Sequence, residues 1–301
     1  MIYDAHIHLW PSLEKEHNPK DFLLSTPEKN KIGGMIISLP PPKYGAYDNL
    51  GVKPMSNPKR IQHTLDFCKP LKNFFPCYWI DPTDKDAVKQ VVKVKELGFR
   101  AIKVICTHYF PSAGMAVYHK CAELNLPVLF HSGISFDGQD SSRYSHPLEF
   151  ECLLEVMTLR FAMAHLSWPW CDDFVAFYGK VYAKRLYNKR CHIQLFADMT
   201  RGTPDNYREE ALRKLLFTGY PIEDFLLFGT DTMVPNVDAN RIRGVYDRDV
   251  AIFALLKKFA KSVKEDETAP VQFRDAASQD VDKIFKKATE KNFLRFLNGD
   301  Q

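Results

Sequence analysis

The chain has 301 residues, 45% of them apolar and 26% charged, with a net charge of only +4. That composition excludes a disordered or low-complexity polypeptide, and so weak a charge balance argues against nucleic acid or an anionic membrane as partner. No apolar run approaches the roughly 20 residues of a membrane span, the opening Met-Ile-Tyr-Asp lacks the features of a signal peptide, and seven cysteines without a CxxC pair suit reduced thiols, so a cytoplasmic protein is expected.

The first strand runs through Tyr3-Asp4-Ala5-His6-Ile7-His8-Leu9-Trp10. Side chains alternate along a strand, so His6 and His8 share a face. A core strand that happens to hold two histidines is the plain alternative to a metal clamp. A long proline-punctuated loop follows, from Pro11 to about Asn30. Ile32 to Leu39 reads as the second strand, ended by Pro40-Pro41-Pro42, and a second long loop extends to Asn57 before a helix near Pro58 to Leu71. Loops of this length commonly cover a site.

Phe74 to Ile80 is the third strand, and Asp81-Pro-Thr-Asp84 is expected to cap a helix that runs to Leu97 and stops at Gly98. Phe99 to Cys106, Leu126 to His131, Arg160 to His165, His192 to Asp198 and Asp224 to Asp231 continue the strand series. Helical patterns separate them at Ala113–Leu124, Pro147–Thr158, Trp170–Tyr187 and Asn206–Phe217, and two more follow near Asp249–Lys264 and Val281–Leu297. Eight strands alternating with helices predict an α/β fold, a (β/α)8 TIM barrel with long loops after strands one and two and extra C-terminal helices, as one domain over residues 1–301.

In such a barrel the C-terminal ends of the strands ring one mouth. His6 and His8 lie toward the end of the first strand, His131 ends the fifth, His165 the sixth and Asp231 the eighth. Histidines that merely fill a core have no reason to end strands selectively. Nitrogen and carboxylate donors suit one divalent ion, zinc first, with manganese, iron or cobalt as alternatives. A water activated by such an ion can pass its proton to Asp231, while His165 polarises a carbonyl.

His6-Ile7-His8, Gly98-Phe-Arg-Ala-Ile-Lys103, Phe130-His131-Ser-Gly133, Ala164-His165 and Phe228-Gly-Thr-Asp231 stand in the order of the strand motifs of the amidohydrolase superfamily, and the chain resembles its amidohydrolase-related branch of metal-dependent hydrolases and decarboxylases. The closing Thr289-Glu-Lys-Asn292-Phe-Leu-Arg-Phe is also similar to that branch. The resemblance implies that His6, His8, His131 and Asp231 hold one metal ion, with His165 catalytic beside it. Two-metal members bridge their ions with a carboxylated lysine of the fourth strand, but Lys103 is expected to lie too deep, as a buried amine paired with a carboxylate.

Where many relatives have glycines after this histidine, the chain has Leu-Ser-Trp168-Pro-Trp170. Trp168 and Trp10 are therefore candidate pocket walls. Arg143, with Arg201, Arg241 and Arg243 behind it, is the candidate fork for a substrate carboxylate. Cys106 and His108 follow the fourth strand, where packing or exposure is expected rather than ligation. The favoured activity is metal-dependent hydrolysis of a small amide, ester or lactone. Non-oxidative decarboxylation of an unsaturated or aromatic acid is the alternative, and a non-catalytic metabolite-binding barrel is the alternative from another class. A small-molecule substrate, and a homodimer as assembly, complete the expectation.

Overall fold

The computed structural model describes residues 1–25, 31–236 and 241–299. Nine parallel strands form one sheet: β1 (Ile2–Leu9), β2 (Ile32–Ile37), β3 (Phe74–Trp79), β4 (Ala101–Val104), β5 (Val128–Phe130), β6 (Arg160–Met163), β7 (Gln194–Asp198), β8 (Leu226–Leu227) and β9 (Thr232–Val234). Each pairs with its neighbour in sequence order, except that β9 lies beside β1. Of the expected eighth strand only Leu226–Leu227 is extended, and a ninth strand, Thr232–Val234, begins just past its expected end. β8 bonds to β7 on one edge, the chain turns through Phe228–Asp231, and β9 bonds to β1 on the other. The Ala5 amide donates to the Phe228 carbonyl at 2.9 Å within that turn. Because the two edges of the sheet are consecutive in sequence, the sheet closes on itself as a TIM barrel.

Every residue of β2, β4, β5, β6 and β7 is buried, as strands covered on both faces must be. Ile102, Val128, Leu129 and Phe161 are at most 1% exposed, and each such side chain contributes on the order of 2 kcal/mol by leaving water. Helices α1 (Pro19–Ser25), α2 (Ala46–Leu50), α3 (Asn57–Cys68), α4 (Ala87–Glu96), α5 (Met115–Glu123), α6 (Cys171–Tyr187), α7 (Asp205–Phe217), α8 (Arg241–Glu265), α9 (Val271–Ala276), α10 (Val281–Glu290) and α11 (Asn292–Asn298) surround the sheet. None is long and apolar enough to cross a membrane among the described residues.

Three local expectations change. Pro147–Glu155 is a 3-10 helix, not an α-helix. Asp81 does not cap α4; its Oδ1 accepts from the Thr83 amide and hydroxyl at 2.9 and 2.6 Å, closing a turn ahead of that helix. The first loop carries α1, and its residues 26–30 lie outside the described residues. The C-terminal helices close the barrel end opposite the strand termini that carry His131 and His165. Asn292 donates to the Glu223 and Leu226 carbonyls at 2.9 Å, and Arg160, at the start of β6, donates to the Phe296 carbonyl. In α10, Val281, Ile284 and Ala288 form the buried stripe, and Asp280 caps the helix by accepting from the Lys283 amide at 3.0 Å.

Candidate metal centre

β1 slips register against β2 between Asp4 and Ile7. There the His6 amide donates to Asp4 Oδ1 at 3.0 Å, an irregularity of the kind that re-aims side chains beside a site. His6 Nε2 and His8 Nε2 meet at 3.1 Å. Asp231, between β8 and β9, has a left-handed backbone, φ 54°, which a short acidic residue tolerates better than most. Its Oδ1 lies 3.6 Å from each of those nitrogens. A tetrahedral zinc ion with bonds of ~2.0–2.1 Å holds its ligand atoms roughly 3.3 Å apart, so this triangle has the right size and the right donors.

The His6 tautomer agrees with that fit. His6 Nδ1 donates to Asp198 Oδ2 at 2.8 Å, which leaves Nε2 a bare lone pair toward the centre. His131, immediately after β5, lines the same cavity with its Nε2 buried and without a hydrogen-bond partner, although it stands outside the 4.8 Å group of His6, His8 and Asp231. An unpartnered buried nitrogen costs about 1–3 kcal/mol unless something ligates it. Burial first, with Lys103 and the neighbouring imidazoles adding to it, holds His6, His8 and His131 well below the ordinary histidine range, so all three are neutral donors.

His165 follows β6 at the head of three consecutive left-handed residues, His165, Leu166 and Ser167, at φ 62°, 48° and 56°. Its Nδ1 donates to the Arg201 carbonyl at 2.6 Å, with Thr200 Oγ1 at 3.2 Å, so Nε2 is the atom left free. The ring centroid lies 5.0 Å from that of His131 and 5.5 Å from that of His6. Gly202, at φ 146°, passes so close that a Cβ there would sit 2.6 Å from the His165 ring. Burial lowers the His165 pKa, and the Asp231 and Asp198 carboxylates oppose it.

Lys103 corrects one expectation. It is fully buried, yet its Nζ reaches 3.2 Å from His6 Nε2 and lines the cavity, with no carboxylate in ion-pair contact. Burial lowers its pKa to about 8. Asp4 and Asp198 are residues that sequence reasoning passed over. Asp4 accepts from the Thr230 amide and hydroxyl at 3.0 and 2.6 Å, tying β1 to the turn that carries Asp231, and burial pushes its pKa up to about 7. Asp198 ends β7 as His131 and His165 close their strands, the signal that could have found it.

The cavity above these groups has a volume of about 610 Å³. Trp10 and Trp168 line it, as do Lys43, Tyr44 and Leu50 from the second long loop and Phe136 from the loop after β5. Arg143 does not: it stands exposed on the 3-10 turn Ser142–Ser145, 3.5 Å from Asp140 and bonded to the Tyr144 hydroxyl, so the carboxylate fork expected of it is not in place. Arg201 and Arg243 are exposed as well, Arg243 pairing with Asp247, and the Arg241 side chain lies outside the described residues. Cys106 is packed in the core, and His108 stands on the cavity rim 3.7 Å from Asp81.

No curated protein sequence matches the chain. Among solved structures it is similar to a dihydroorotase from Campylobacter jejuni (TM-score 0.53, 16% identity, 100% of this chain and 84% of that one). It is also similar to a probable 2-pyrone-4,6-dicarboxylic acid hydrolase from Acinetobacter baumannii, solved with citric acid bound (0.54, 13%, 99% of both chains), and to an uncharacterized Tim-barrel protein from Bordetella bronchiseptica (0.52, 14%, 83% and 98%). At these identities the likeness speaks for the fold. The sequence profile described as Amidohydrolase matches residues 3–291, nearly the whole chain, with the strand-end histidines and Asp231 inside the match. The chain belongs to the amidohydrolase family.

Proposed function

We propose that the protein is a metal-dependent hydrolase of a small ester, lactone or amide. The observation that carries the reading is the triangle of His6 Nε2, His8 Nε2 and Asp231 Oδ1, with edges of 3.1, 3.6 and 3.6 Å, facing a cavity of about 610 Å³. In this reading His6, His8 and Asp231 hold one divalent ion, zinc first, and His131 completes the donor set. When bound, such an ion lowers the pKa of water and polarises a carbonyl.

The chain's own residues carry the remaining steps. Asp231, whose side chain is 25% exposed, faces the cavity and takes the proton from the attacking water. Asp231 then returns that proton to the leaving oxygen or nitrogen as its bond to the carbonyl carbon breaks. His165 presents only Nε2, because Nδ1 is committed to Arg201; with a proton taken up there from solvent the ring donates to the carbonyl oxygen, a form that burial opposes and the Asp231 and Asp198 charges favour. Lys103 adds positive charge next to the developing oxyanion. Trp10 and Trp168 wall the site and exclude water. The test is a panel of lactones, esters and amides given to zinc- and manganese-loaded protein, with products identified by mass spectrometry. Turnover that disappears in Asp231→Asn and His165→Asn supports the reading, and an inert panel with full metal loading contradicts it.

A further inference from the structure

The rim of the cavity holds two aromatic walls. On the His8 side, Trp10 and Tyr44 pack on Trp79, with ring centroids 6.4 and 4.8 Å from it. On the His165 side, Phe136 lies parallel to Trp168, 10° between planes and 6.5 Å between centroids. Phe136 is 78% exposed, a large apolar ring left in water at the mouth of a cavity.

The placement of Trp168 is costly. It sits directly after the three left-handed residues, none of them glycine, a conformation that L side chains adopt only under strain. The strain is held by neighbours. Ser167 Oγ and Ser132 Oγ share a hydrogen bond of 2.7 Å, and the Ile134 amide donates to the Trp168 carbonyl at 2.8 Å. Gly133, at φ 108°, admits this approach, since a Cβ there would meet that carbonyl oxygen at 2.5 Å. Backbone strain that the surroundings over-determine marks a functional element, here the wall that Trp168 forms.

The charges of the cavity point the same way. No arginine lines it among the described residues, and apart from Asp231, a ligand in the hydrolase reading, its acids are Asp48 and Asp137 and its lysines Lys43 and Lys103. Lys43 is bonded to Asp84 at 2.8 Å, which leaves Lys103, deep beside His6, as the cation without a carboxylate partner. A second carboxylate on a substrate would face acids at the rim with no free cation to receive it.

From the two walls and this charge pattern we infer that the substrate carries a planar apolar ring, taken between the Trp10/Tyr44 and Trp168/Phe136 walls, and at most one carboxylate. The inference rests on the hydrolase reading only for the bond that is cleaved. It separates this chain's substrate class from dicarboxylated lactones.

The test uses three probes that share one carboxylate head: acetate, benzoate and isophthalate, titrated by calorimetry and by ligand-observed NMR into zinc-loaded protein. Benzoate is expected to bind about tenfold more tightly than acetate, because of ring contacts, and isophthalate more weakly than benzoate. Phe136→Ala, at an exposed position where folding is not at stake, should lower the benzoate-to-acetate ratio; Trp168→Ala should lower that ratio further, while Trp168→Phe restores part of it. Benzoate no tighter than acetate, or isophthalate equal to or tighter than benzoate, overturns the inference. In parallel, 3,4-dihydrocoumarin should be hydrolysed in preference to 2-pyrone-4,6-dicarboxylate. If the whole panel of lactones, esters and amides is inert while the ring increment is present and reduced in the variants, the hydrolase reading fails and the ring site stands.

Discussion

His6 on β1 and Asp198 at the end of β7 are 192 residues apart in sequence, yet His6 Nδ1 donates to Asp198 Oδ2 at 2.8 Å with both side chains buried. This pair fixes which nitrogen of His6 faces the candidate metal centre. Partners of this kind typically tune metal affinity by ~10–100-fold. Asp198→Asn should therefore weaken zinc binding within that range, measured by competition with a chromophoric chelator, and leave the far-ultraviolet circular dichroism unchanged. Affinity equal to that of the native chain would show that Asp198 does not orient His6.

Gly202 supplies a second check. An added Cβ must displace the His165 ring, and displacement of a reacting group by about 1 Å can cost on the order of 100-fold in rate. Gly202→Ala should lower kcat at least tenfold while metal content stays at the native level. An unchanged kcat would remove His165 from the chemistry.

Behind the same loop, the buried Arg208 and Asp249 form a bidentate pair at 2.8 Å per bond, and Arg208 also donates to the Met199 and Thr200 carbonyls. Removing one partner of such a pair leaves a bare buried charge and costs about 3–5 kcal/mol. Asp249→Ala should lose that much in urea unfolding. Arg208→Met combined with Asp249→Leu should lose much less, because no fully buried charge is stranded and Arg248, which also bonds Asp249 at 3.1 Å, keeps Asp205; equal losses would mean that packing, not charge, is what matters there.

His17 gives a pH prediction. Burial lowers its pKa to about 4, His63 nearby adds to the shift, and its Nε2 bonds to the Trp10 carbonyl at 2.9 Å. The unfolded chain binds this proton near pH 6.5 and the folded chain only near pH 4, so stability is complete above 6.5 and is lost as pH falls between those values. The loss at pH 5 is about 1–2 kcal/mol after discounting for partial exposure, a fall of several degrees in Tm. Differential scanning fluorimetry at pH 7.5 and 5.0 should show this for the native chain and a smaller fall for His17→Gln, which keeps a donor that does not titrate. Identical falls would rule out His17 as the source.

The barrel was legible because each strand is a short apolar run closed by glycine, proline or a polar residue, and the strand-end histidines followed from the same boundaries. The shortness of β8 and the separate β9 beyond Asp231 were not legible: a left-handed Asp231 leaves no trace in hydrophobic periodicity. Lys103 was read as too deep because strand position says nothing of how far a four-carbon stem extends, and here it carries Nζ to His6. Arg143 was misplaced because its loop coils into a 3-10 turn that faces solvent, a matter of loop conformation that sequence spacing does not encode. Asp198 was overlooked because one acid at a strand end is common, and its bond to His6 depends on strands that are distant in sequence and meet across the barrel interior.

The most direct test of the account is metal content by inductively coupled plasma mass spectrometry on protein purified without chelator or metal-affinity resin, with Asp231→Ala and His131→Ala alongside. The account predicts about one transition-metal ion per native chain and a marked loss in both variants. A native chain that stays free of metal after incubation with zinc and manganese would contradict it, and the triangle of His6, His8 and Asp231 would then need another explanation.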